Sequence, residues 1–155
     1  MNANDLSQVI NYVRTPDGIG SGGQPTPDQF QALADAGYRV VINLALPDSD
    51  NALPDEGGYV TRYGMDYVHL PVPWRNPTPE RFRRFRDVMR LYEDVPAFVH
   101  CAMNMRASAF VFLYRVVERH VPVAVAESAM TTVWQPNRLW ADFIDKVLDS
   151  ASQDD

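Results

Sequence analysis

The chain has 155 residues, 46% hydrophobic and 22% charged, a mixture that supports a buried core and excludes intrinsic disorder and collagen-like structure. A formal charge of −6 argues against a nucleic-acid backbone as partner, so any bound anion must be drawn by a local site. One cysteine, Cys101, excludes an internal disulfide framework and a multi-cysteine zinc site, and no metal or cofactor is expected.

The length suits one domain over residues 1–155, with a core of about 10–148. The amino terminus lacks a basic patch followed by an apolar run, and no segment approaches the ~18 apolar residues needed to cross a bilayer. A soluble, cytoplasmic protein without a membrane partner is expected; the sequence leaves its oligomeric state open.

In chain order, Thr26-Pro27-Asp28 reads as a helix start, with Thr26 as N-cap and proline at the first helical position. Phe30, Leu33 and Ala34 make its buried stripe, and Gly37 ends it. Tyr38 to Leu46 is a β-branched apolar run, read as a buried strand. Asp48 to Gly58 reads as a polar loop. Tyr67 to Val72 is a second strand, closed by prolines at 71, 73, 77 and 79 around Trp74, Arg75 and Asn76.

A helix follows from Thr78, carrying Phe82, Phe85, Met89 and Tyr92 at helical spacing, with Arg83, Arg86 and Arg90 on a solvated face. Ala97 to Cys101 is a third strand. From Ser108 runs a helix that is apolar nearly all round, which belongs in the middle of the fold. A short helix after Pro122 and a last amphipathic one, with Leu139, Trp140, Phe143, Ile144 and Val147 inward, complete the chain. Strands alternating with helices predict an α/β fold with a central, mostly parallel sheet flanked by helices.

The segment His100-Cys101-Ala102-Met103-Asn104-Met105-Arg106-Ala107-Ser108 places a thiol at a strand end, then a turn, then a helix start. Backbone N–H groups of such a turn lack intrahelical acceptors and converge as an anion cradle. Their partial positive charge favours thiolate, and Arg106 adds a planar pair of donors. A nucleophile with an oxyanion clamp aimed at it is the minimum equipment for attack on a phosphate ester.

This arrangement resembles the signature loop of the cysteine-dependent protein tyrosine phosphatase superfamily. Ser21-Gly22-Gly23-Gln24-Pro25-Thr26, Val41-Ile42-Asn43-Leu44 and Tyr67-Val68-His69-Leu70-Pro71-Val72 resemble its compact bacterial, dual-specificity-like branch, from about residue 10 to 145. The resemblance implies that Cys101 is the nucleophile, that Arg106 and the amides from Ala102 through Met103, Asn104 and Met105 to Ala107 hold the phosphate, and that Ser108 assists thiolate release. It further implies that His100 tunes the thiol through the backbone; Trp74 and Arg75 are placed to form a wall.

Two features depart from that pattern. The family places five residues between cysteine and arginine, whereas Cys101 and Arg106 are separated by four. Either the turn is shorter by one residue or its length is kept and the arginine has slipped back. The family's glycine is also missing, and Asn104 is the residue able to take a left-handed conformation in its place. The other departure is the general acid, since Pro73-Trp74-Arg75-Asn76-Pro77 holds none; Asp48, Asp50, Asp55 and Glu56 are the substitutes nearest in sequence. His69 reads as a satisfied strand histidine.

The expected activity is phosphate monoester hydrolysis through a thiophosphoryl-cysteine intermediate, with a phosphorylated substrate. A pseudophosphatase that binds an anion without turnover is the alternative. Sulfur transfer by a rhodanese-like turn is a third reading, opposed by the His-Cys pair, Ser108 and the Gly-Gln-Pro opening.

Overall fold

Short β-branched runs buried on both sides demand a layer of helices on each face of a sheet, and that is the architecture of the computed structural model, which describes residues 5–153. Its elements are β1 (Val13–Arg14), β2 (Ile19–Gly22), α1 (Pro27–Asp35), β3 (Val40–Asn43), α2 (Glu56–Arg62), β4 (Asp66–His69), α3 (Pro79–Leu91), β5 (Ala97–His100), α4 (Met105–Val117), α5 (Val123–Thr131) and α6 (Arg138–Gln153). The sheet order is β1-β2-β5-β3-β4. Among the described residues, β1–β2 is the one antiparallel strand pair of the sheet.

Alternation along the strands divides the core in two. Val40, Ile42, Val99 and Cys101 pack with Phe82, Phe85, Phe110 and Trp140 on the α3–α6 side. Val41 and Phe98 pack with Phe30, Leu33, Tyr38 and Val60 on the α1–α2 side. The register sets Gly22, His100, Asn43 and His69 in one row across the carboxyl ends of the parallel strands. Ligands of open α/β sheets bind outside that edge.

Local chemistry explains the helix ends. Thr26 accepts from the Gln29 amide while the Gln29 side chain accepts from the Thr26 amide, a complete capping box. Gly37, at φ +104°, closes the helix where a side chain would be strained. Thr78 caps α3 through Arg81 N. Every residue of α4 from Arg106 to Arg115 is buried, as its all-round apolar pattern predicts.

The differences from sequence expectation are local. β3 and β4 stop at Asn43 and His69, short of Leu46 and Val72, because beyond them the chains diverge and keep only isolated contacts such as Val72 N to Leu44 O, 2.8 Å. β1 and β2 were not expected, and residues 56–58 begin α2 instead of ending a loop. α4 starts at Met105, three residues before Ser108.

Candidate active site

Four residues, Cys101–Asn104, lead from β5 into α4. With α4 starting at Met105, Arg106 is the second helical residue. Asn104 takes the left-handed conformation, φ +71°, which asparagine tolerates better than most residues.

This turn is gripped from its outer side. Cys101 N donates to the Gly22 carbonyl at 3.3 Å, and Gln24 N donates to the Ala102 carbonyl at 3.0 Å. The Asn51 side chain donates to the same Ala102 oxygen at 3.1 Å, and Asn11 to the Met103 carbonyl at 3.0 Å. In a planar trans peptide the C=O and the next N–H point oppositely. Holding the Ala102 oxygen outside thus turns the Met103 amide inward. Met105, Arg106 and Ala107 open α4, and their N–H groups have no intrahelical acceptor; the first such bond is Ser108 N to Asn104 O, 2.9 Å.

On the inner side lies a hollow of about 190 Å³ lined by Trp74, Cys101, Ala102, Met103, Met105 and Arg106. Cys101 is fully buried, forming its floor. Arg106, one of the lining residues, is 8% exposed, and its Nη1 donates to the Val72 carbonyl at 2.9 Å, so the guanidinium is anchored at one corner. Trp74 is fixed as a wall: its carbonyl accepts from Trp140 Nε1 at 2.9 Å, and its ring lies 5.4 and 5.7 Å from those of Trp134 and Trp140. Arg81 secures the same loop through the Pro71 carbonyl at 2.6 Å.

Residues 17–142 match the family described as "DSP-PTPase phosphatase fused to NAD+ Kinase". The chain belongs to this dual-specificity-like phosphatase family. Among solved structures it is similar to the DUF442 protein of Shewanella putrefaciens CN-32, at 35% identity over 97% of this chain and 99% of that one, with a TM-score of 0.85. PTPMT1 in complex with PI(5)P shares the fold at 14% identity, covering 92% and 97% of the two chains with a TM-score of 0.77. P. aeruginosa TpbA in complex with phosphotyrosine shares it at 15% identity, covering 96% and 93% with a TM-score of 0.72. A comparison with curated proteins finds no match.

Not every residue singled out in this phosphatase-family chain reaches the hollow. The Ser108 hydroxyl donates to the Met105 carbonyl at 3.1 Å, so its one proton is committed within the helix, and Ser108 borders a separate small cleft with Ser21 and Arg115. Arg75 is exposed and outside the lining; the tied loop presents Trp74 instead. The Asn104 side chain turns away, donating to Asn11 O at 2.7 Å and Ser21 Oγ at 3.1 Å. Ala107 is buried and contributes no side chain to the lining. His69 donates from Nε2 to the Ala45 carbonyl at 2.7 Å.

His100 lies on the face opposite Cys101, since neighbours in a strand alternate. Its Nδ1 donates to the Cys101 carbonyl at 3.2 Å, and its Nε2 meets the Glu56 carboxylate at 2.7 Å, both side chains being buried. Glu56, read from sequence as a loop acid, instead opens α2. Burial works against its charge, but hydrogen bonds from His100, Gln24 and Tyr67 and the nearby imidazole outweigh that, holding its carboxyl below the usual glutamate range. Sequence reasoning missed the roles of Asn11, Asn51 and Gln24; only Gln24 stood in a recognised motif. Among the described residues no cluster of three or more His, Cys, Asp or Glu is disposed to hold a metal.

Proposed function

We propose that this phosphatase-family protein hydrolyses phosphate monoesters with Cys101 as nucleophile. The carrying observation is the hollow that joins Cys101, Ala102, Met103, Met105 and Arg106 at the carboxyl edge of the sheet. In this reading the Cys101 thiolate attacks phosphorus, the P–O ester bond breaks, and the ester oxygen leaves as an anion that takes its proton from water. Water then attacks the thiophosphoryl intermediate, releasing phosphate and regenerating thiolate. The inward amides and Arg106 hold the equatorial oxygens, where negative charge accumulates. Phosphotyrosine and PI(5)P on the two structural neighbours support a phosphate-bearing substrate.

Residues 73–77 contain no acid to protonate the leaving oxygen. Asp48 and Asp50, on the loop that Asn51 ties to the Ala102 carbonyl, are the substitutes this reading retains, although neither lines the hollow. Aryl phosphates, whose leaving groups need little protonation, are the substrates of choice for an assay. Wild-type protein is expected to release phosphate from an aryl phosphate and Cys101→Ser to release none; equal rates would remove the nucleophile. The same missing acid favours, as second reading, an anion-binding pseudophosphatase, identified by phosphate binding with no turnover of any aryl phosphate.

A further inference from the structure

Glu56 sits beneath the turn on the far side of the sheet from the hollow. Its two carboxylate oxygens take different partners, Oε2 the His100 Nε2 at 2.7 Å and Oε1 the Gln24 Nε2. Each of those partners holds one carbonyl of the turn: His100 Nδ1 donates to Cys101 O at 3.2 Å, and Gln24 N donates to Ala102 O at 3.0 Å. Glu56 is 5% exposed, His100 0% and Gln24 8%, so water does not compete for these bonds, and a buried carboxylate is retained only where such donors satisfy it.

We propose that Glu56 is the positioning residue of the anion cradle, tethering His100 and Gln24 so that the Cys101 and Ala102 carbonyls face away from the hollow and the Ala102 and Met103 amides face into it. The proposal rests on the phosphatase-like reading of the cradle. Glu56 touches no reacting atom; it acts through two peptide planes. Its place at the start of α2 is consistent with this role. Asp55 before it is in the left-handed conformation and makes no side-chain cap, so the helix opens without the usual capping side chain while Glu56 is directed under β5.

A pair of variants separates positioning from charge. Glutamine at this site still accepts from Gln24 through its carbonyl oxygen, and its amide donates to the His100 Nε2 while Nδ1–H remains for Cys101 O. Alanine releases His100 and Gln24, and with them the Tyr67 contact. Two measurements are made on purified protein: the Kd for inorganic phosphate by titration calorimetry, and the rate of Cys101 alkylation by iodoacetamide at pH 7, unambiguous because the chain has one thiol.

Glu56→Ala is expected to raise the phosphate Kd and slow alkylation by about tenfold each, as loss of one charge-assisted hydrogen bond does, and Glu56→Gln to restore both to within about threefold. A folded Glu56→Ala with wild-type Kd and rate overturns the proposal, as does a Glu56→Gln as impaired as the alanine variant. Should Glu56→Ala fail to fold, Gln24→Ala cuts the other tether and is read the same way. A wild-type protein that binds no phosphate overturns the phosphatase reading instead, and the alkylation comparison then decides the role of Glu56.

Discussion

Arg106 and Val72 are joined across the rim of the hollow, guanidinium Nη1 to carbonyl oxygen at 2.9 Å. One donor of the fork is spent on the protein, and this fixes the plane in which the others lie. Arg106→Ala removes the clamp and strands a carbonyl belonging to a residue only 1% exposed. Expected effects are a loss of ~10²–10³ in kcat/KM on an aryl phosphate and a drop of about 1–3 kcal/mol in stability by urea unfolding. Arg106→Lys should recover little of the activity, because an ammonium group cannot hold Val72 and a phosphate in one plane.

Gly23 tests how tightly the turn is seated. A Cβ there would lie 2.6 Å from the Ala102 carbonyl oxygen and 2.7 Å from the Ile10 Cβ, distances that force the turn or the Ile10 segment to move. Gly23→Ala should cost roughly 1–3 kcal/mol and shift the Ala102 carbonyl off Gln24 and Asn51. Faster amide hydrogen exchange at Gln24, measured by NMR, checks it; an unchanged exchange rate counts against a tight seat.

Trp140 supports the wall from behind. It is fully buried, and Trp140→Phe keeps an aromatic ring but loses the donor to the Trp74 carbonyl. A destabilisation of about 1–2 kcal/mol is expected, with Trp74 less ordered. The KM for an aryl phosphate should rise more than kcat falls, measured by steady-state kinetics.

Acid stability should carry the mark of Glu56. Its carboxyl is held below the ordinary value of 4.5 despite burial, so the folded state favours the ionised form. That contribution is complete above the unfolded value and is lost as pH falls through the folded one. The urea midpoint of wild type should therefore decline as pH drops from about 5 to about 3, and Glu56→Gln should flatten that part of the curve. A parallel decline in both proteins would remove Glu56 as the cause.

Much of the architecture is legible in residue order because local signals and tertiary packing agree. Thr26 with Gln29, Gly37 at positive φ and the all-apolar α4 each carry one physical meaning. β2 is harder: Ile19-Gly20-Ser21-Gly22 looks like a turn, yet Gly20 serves a strand because the Tyr38 ring and hydroxyl occupy the space a side chain would fill. α2 is harder still, since Gly57 and Gly58 disfavour helix and only the burial of Val60 and the contacts of Glu56 compensate. At the site, Cys101, Arg106 and Trp74 are brought together around one hollow, while Ser108 is not. Three residues lie between Cys101 and the helix, which starts at Met105, so Ser108 is the fourth helical residue and its hydroxyl finds a backbone carbonyl one turn back.

The three indoles behind the hollow, Trp74, Trp134 and Trp140, are locked together when the chain folds. The entropy of ordering that wall is spent before any ligand arrives. Encounter then meets a mould of set dimensions, so selection among esters falls to the width of the opening and association kinetics should vary little among those that fit.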